Sequence, residues 1–114
     1  MKTATKMLWI FLDETDTWNE GRLYEQIVIR LERLGIAGAT VLAGIMGYGI
    51  HRRIHKKGLF GVTDERSVAI AVVEEEAKLR EALKTIQPMI RQGLIVLSDV
   101  EVIPLGQAET GQIR

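Results

Sequence analysis

At 114 residues and 12.8 kDa the chain has the size of one ordinary domain, enough to bury roughly 65% of the surface an unfolded chain exposes. Hydrophobic residues at 46% and charged residues at 26% exclude a wholly disordered or collagen-like protein, and the absence of cysteine excludes a disulfide framework, a thiolate nucleophile and a cysteine-ligated metal. Fifteen basic residues balance fifteen acidic ones, so no global field draws the chain to nucleic acid or an anionic membrane, and any polyanion site must be local.

In chain order, Lys2 and Lys6 precede an apolar run from Met7 to Leu12, and Asp13, Glu14 and Asp16 follow it. Six apolar residues are too few for a secretory core, and apolarity at every position predicts a strand covered on both faces. Asp13 to Arg22 reads as a polar loop. Leu23, Ile27, Leu31 and Leu34 then recur at helical spacing, with Glu25, Arg30, Glu32 and Arg33 opposite, and Gly35 stands where a left-handed cap ends a helix. A second strand is expected from about Ala39 to Met46. The uncharged stretch from Ile36 to Ile50 falls short of the roughly 20 apolar residues that span a membrane, so the expected location is cytoplasmic.

Gly47-Tyr-Gly49, the basic run from Ile50 to Lys57 and Gly58-Leu-Phe-Gly61 form a connection of about twenty residues, a length usually reserved for function. Ser67 to Val73 is a second doubly covered strand. Glu74, Glu75 and Glu76 suit the solvated first turn of a helix, whose stripe is Leu79, Ala82, Leu83 and Ile86. Pro88 predicts a break or kink and a short extra turn running to Gly93. Leu94 to Leu97 and Val100 to Pro104 read as two short strands around a turn at Ser98 and Asp99. Residues 1–105 thus form one domain, and the tail from Gly106 to Arg114 is expected to be mobile.

The order strand, helix, strand, long loop, strand, helix, strand is the split βαβ arrangement of ferredoxin-like α+β domains (βαββαβ): a four-stranded antiparallel sheet with two helices on one face. The first and third strands are the most uniformly apolar and belong at its centre. Right-handed crossovers put both helices on the same side. Alternate residues of Met7 to Leu12 and of Ser67 to Val73 must then face the bare side. Covering each large side chain there contributes on the order of 1.5–3 kcal/mol, so that side is expected to be an oligomer interface. Trp9 and Trp18 fit core or interface positions better than ligand platforms.

Gly35-Ile-Ala-Gly-Ala-Thr-Val41, followed by Gly47-Tyr-Gly49 and a basic loop, resembles PII (GlnB-like) signal proteins. The closer resemblance is to DUF190, a family of small PII-like proteins, through Leu23-Tyr24-Glu25, Arg53-Ile-His55, Gly93-Leu-Ile and Asp99-Val-Glu-Val102 besides the stretch already quoted. It covers about Met7 to Pro104. The resemblance implies a trimer built around the sheets, with a ligand cleft between subunits beside the long loop. Where PII proteins have a glycine-rich turn before the last strand, this chain has Arg91-Gln-Gly-Leu94, with one glycine.

The chemistry of the loop suits phosphate. Glycines at 47 and 49 let backbone N–H groups converge on an anion, Arg52, Arg53, Lys56 and Lys57 add charge, and Tyr48 or Phe60 could stack on a base. His51 and His55 stand four apart, but Arg52 follows the first and four cations surround them, which argues for residues beside a phosphate and against a metal site. Neither serine has the glycines of a nucleophile elbow, and no catalytic set appears. The expected ligand-binding residues are Thr40, Gly47, Tyr48, Gly49, His51, Arg52, Arg53, His55, Lys56 and Lys57. The expected protein is a non-enzymatic, trimeric PII-like regulator that binds a small phosphorylated metabolite, foremost an adenine nucleotide (AMP, ADP or ATP). It would present the loop between Gly47 and Gly61 to a membrane-transport or enzyme partner. The competing readings are a trimeric cation-binding or structural module and, less favoured, a nucleic-acid-binding ferredoxin-like domain; without a basic-aromatic signature no nucleic-acid partner is expected.

Overall fold

The computed structural model describes residues 4–48, 55–56 and 66–106. Its elements in chain order are β1 (Thr5–Asp13), β2 (Thr17–Trp18), β3 (Gly21–Arg22), α1 (Leu23–Arg33), β4 (Thr40–Ala43), β5 (Met46–Gly47), β6 (His55–Lys56), β7 (Ser67–Glu75), α2 (Glu76–Ile86), a 3-10 turn (Gln87–Met89) and β8 (Leu94–Asp99). Four strands form an antiparallel sheet in the order β4-β7-β1-β8, which puts the two most apolar strands at its centre as expected. β1 and β7 pair over nine residues, from Thr5 opposite Glu75 to Asp13 opposite Ser67.

Alternation along the central strands sorts their side chains. Leu8, Ile10 and Leu12 of β1 and Val68, Ile70 and Val72 of β7 are buried in one core cluster with Leu23, Ile27 and Leu31 of α1 and Leu79, Ala82 and Ile86 of α2. Each helix thus buries one stripe at helical spacing. The helix α1 ends as Gly35 predicted. At φ +85° this residue is left-handed, its N–H donates to the Glu32 carbonyl and the Ile36 N–H reaches back to Leu31, both in the pattern of a Schellman cap with Ile36 buried behind it.

Several boundaries differ from expectation. The polar stretch before α1 contains the small β2–β3 hairpin, too short to leave a periodic signal. The second strand stops at Ala43, and Met46–Gly47 pairs instead with His55–Lys56. Glu74 and Glu75 complete β7 and are not a helical first turn. The Glu74 carboxylate, with its side chain only 10% exposed, accepts from the Ala37 N–H at 3.0 Å and lies 3.6 Å from Lys78. Gln87–Met89 is the extra turn that Pro88 demanded, and it ends well before Gly93. The last strand is one element running through Ser98 and Asp99, and Val100 to Pro104 pair with nothing in the sheet. Register explains the last point: Asp99 stands opposite Lys6, whose ammonium donates to its carboxylate, so an exposed edge strand keeps two polar residues that look like a turn. Beyond Gly106 the expected tail lies outside the described residues.

Candidate functional site at the loop end of the sheet

One end of the sheet gathers β1 finishing at Asp13, β4 finishing at Ala43, β7 starting at Ser67 and β8 starting at Leu94. The long connection leaves and re-enters here. Its two feet are fastened. The Gly44 N–H donates to the Ser67 carbonyl at 2.7 Å, and the Glu14 N–H donates to the Arg66 carbonyl at 2.7 Å. The side chains of that second pair add a two-pronged ion pair, Arg66 Nε to Glu14 Oε1 at 2.9 Å and Nη2 to Oε2 at 3.2 Å, a geometry that fixes direction as well as charge. Arg22 Nη1 also donates to the Glu14 carbonyl oxygen at 3.2 Å, tying the β2–β3 hairpin to the same foot. Hydrogen bonding from Arg66, with the Arg22 charge adding to it, holds the Glu14 carboxyl below the usual carboxylate range.

Among the expected ligand residues, Gly47 and Tyr48 sit at this end. Gly47 is an extended residue of β5, outside the left-handed region, with no described residue within 4 Å of where a Cβ would stand. Tyr48 is 69% exposed, and Ile45 and Met46 beside it are also exposed. Thr40 is placed elsewhere, at the opposite end of β4, opposite Ala71 on the face without helices and about 10 Å along the strand from Ala43. His55 and Lys56 enter as the backbone of β6, opposite Gly47 and Met46. Gly49, His51, Arg52, Arg53 and Lys57 lie outside the described residues, as does Phe60.

Glu14, Arg22 and Arg66 were missed as a group. Each is an ordinary charged residue at the edge of an apolar run or helix, and only the β1–β7 register brings Glu14 and Arg66 together. Gly93 carries more weight than its place in a resemblance suggested. A Cβ there would stand 2.8 Å from the Phe11 carbonyl oxygen and 3.0 Å from Leu12, so β8 can start beside β1 only with glycine at its threshold. An open groove of about 620 Å³ on the hairpin side is lined by Trp18, Asn19, Glu20, Gly21 and Gln26. Among the described residues no group of acidic or histidine side chains is arranged to hold a metal ion, and no helix is long and apolar enough to cross a membrane.

Residues 5–102 match the model of DUF190, described as an uncharacterized ACR. The chain belongs to the DUF190 family. A UPF0166 protein from Aquifex aeolicus is 36% identical over 100 residues, covering 88% of this chain and 94% of that one. Among solved structures, CPII from Thiomonas intermedia K12, a nitrogen regulatory PII-like protein bound to ADP, AMP and bicarbonate, superposes with a TM-score of 0.65 at 23% identity, over 86% of this chain and 87% of CPII. A Thermus thermophilus protein named as PII-like superposes with a TM-score of 0.63 at 18% identity, over 90% of this chain and 94% of its own. At these identities the likeness carries the fold: this DUF190 chain has the PII-like, ferredoxin-like architecture.

Proposed function

We propose that this DUF190 protein is a non-enzymatic, trimeric, cytoplasmic regulator of PII type. It binds an adenine nucleotide in the cleft between subunits and presents the connection between Gly47 and Gly61 to a protein partner, a transporter or an enzyme. The observation that carries this reading is the loop end of the sheet. A long basic connection springs from two fastened feet on a fold shared with a protein that holds ADP and AMP. Gly47 lacks a side chain where a ligand would approach the backbone, and Tyr48 offers a ring, exposed among the described residues, for stacking. Arg52, Arg53, Lys56 and Lys57 supply cations for phosphate, with His51 and His55 beside them. Thr40 belongs to this set only if the cleft extends along β4 on the open face.

A regulator signals only when its effector binds two states of the protein with different affinity. Calorimetry with ATP, ADP, AMP and cyclic nucleotides at physiological salt tests the proposal: a saturable heat from at least one of them is expected, and silence from all of them with folded trimer in the cell overturns it. The variant Arg52→Ala with Arg53→Ala should weaken that binding at least tenfold while the trimer persists.

A further inference from the structure

Glu14 follows β1 directly and would pass for an ordinary turn residue, yet all of its polar groups are engaged. Its N–H donates to the Arg66 carbonyl at 2.7 Å, its carboxylate takes both prongs of the Arg66 guanidinium, and its carbonyl oxygen accepts from Arg22 Nη1 at 3.2 Å. Asp13 and Ser67 are the last residues paired between β1 and β7, so the bond to Arg66 carries the ladder one step further, to the point where the long connection re-enters. Arg66 supplies two of these holds itself. The third comes from the hairpin.

Arg22 supplies it from a position that suits α1 badly. The chain turns at Asn19, which at φ +55° takes a left-handed conformation that asparagine tolerates, and returns so that Arg22 stands opposite Thr17. The next residue opens α1, which makes Arg22 its N-cap, with extended backbone at φ −69° and ψ 134°. In that conformation Ser, Thr, Asp or Asn would accept from an N–H of the first turn. A guanidinium has no acceptor to offer, and Arg22 makes no capping bond. It also sets a positive charge at the positive end of the helix dipole. What the position gains is the bond to Glu14 and a cation that, after Arg66, favours the ionised Glu14 carboxylate. Departures from local preference of this kind gather where a residue serves function.

We infer that Arg22 is a positioning residue for the long connection: acting through Glu14, it fixes the foot at Arg66, and with it the direction in which the connection leaves the sheet, at the expense of the N-cap of α1. A foot free to swing weakens whatever the connection binds, because binding must then order it. The consequence for a ligand rests on the regulator reading proposed above; the fixing of the foot does not.

Amide exchange, urea denaturation and calorimetry on the full chain test this. Arg22→Ser removes the donor and installs a cap, whereas Arg22→Met removes the donor and keeps an unbranched apolar stem. In both variants the Glu14 N–H should exchange roughly tenfold faster, while the Gly44 N–H at the other foot keeps its wild-type rate. The urea midpoint of Arg22→Ser should hold or rise, and should lie above that of Arg22→Met. Unchanged Glu14 exchange in either variant overturns the positioning role, as does equal acceleration at Gly44. A midpoint of Arg22→Ser below wild type also overturns it, because a residue that merely held the hairpin together would act that way. Titrated with ATP, ADP and AMP, both variants should bind about tenfold more weakly than wild type. Equal binding by wild type and variants overturns the role in ligand binding. Silence of the wild type towards all three counts against the regulator reading alone, and the exchange rates then decide the role of Arg22.

Discussion

The two faces of the same sheet use neighbouring residues of the same strands to opposite ends. On the helix-covered face Ile10 and Ile70, directly paired, are completely buried, while one residue further along Trp9 and Ala71 pair on the open face and remain partly exposed. Hydrophobicity alone does not separate them, since both alternating sets are apolar. What separates them is side-chain volume. The covered face holds branched aliphatic residues of similar size that pack under two helices, whereas the central strands of the open face range from Trp9 and Phe11 down to Ala69 and Ala71. An apolar strand run thus states that both faces will be covered, and the distribution of volumes within it states by what kind of surface.

The largest expected break in this comparison is on the covered face. Ile10→Ala removes a fully buried side chain from the centre of the core and should cost about 2–5 kcal/mol of unfolding free energy, read from urea denaturation. Next is the junction of β8 with β1: Gly93→Ala pushes a Cβ against the Phe11 carbonyl oxygen and should cost about 1–3 kcal/mol by the same measurement. Trp9→Ala, on the open face, should leave the helix-covered packing intact by circular dichroism and, on the trimeric reading proposed above, raise the dissociation constant of the trimer at least tenfold by sedimentation.

The smallest effect is electrostatic. Because Arg66 lowers the folded-state pKa of Glu14, the pair contributes stability that is present above the ordinary glutamate pKa and is lost as the pH falls through the lowered one. Acidification from pH 5 towards pH 2 should therefore narrow the stability difference between wild type and Glu14→Gln, as followed by thermal melts; a difference that widens on acidification contradicts the assigned pairing.

The central strands and both helices were legible because their apolar residues repeat with the periods that burial imposes. The edges were harder to read. Asp99 looks like a turn residue until Lys6 is found opposite it, and Glu74 looks like part of a solvated helix start until the Ala37 N–H is found on its carboxylate. Both errors arise from contacts between residues far apart in the chain, which composition and spacing do not encode. The same holds at the loop end of the sheet: Glu14 and Arg66, fifty-two residues apart, become neighbours only through register. Thr40 stands about 10 Å along β4 from Ala43, because a strand moves sequence neighbours apart by about 3.3 Å per residue.

The fastening of the long connection at Gly44 with Ser67 and at Glu14 with Arg66 has a consequence for how this fold can change. With both feet held by the sheet, the length of chain between them is nearly a free variable, since doubling a flexible loop costs only about 0.6 kcal/mol in closure entropy. Insertions and deletions between the feet are thus cheap for the domain. The strands that hold the segment can stay as they are while its length changes.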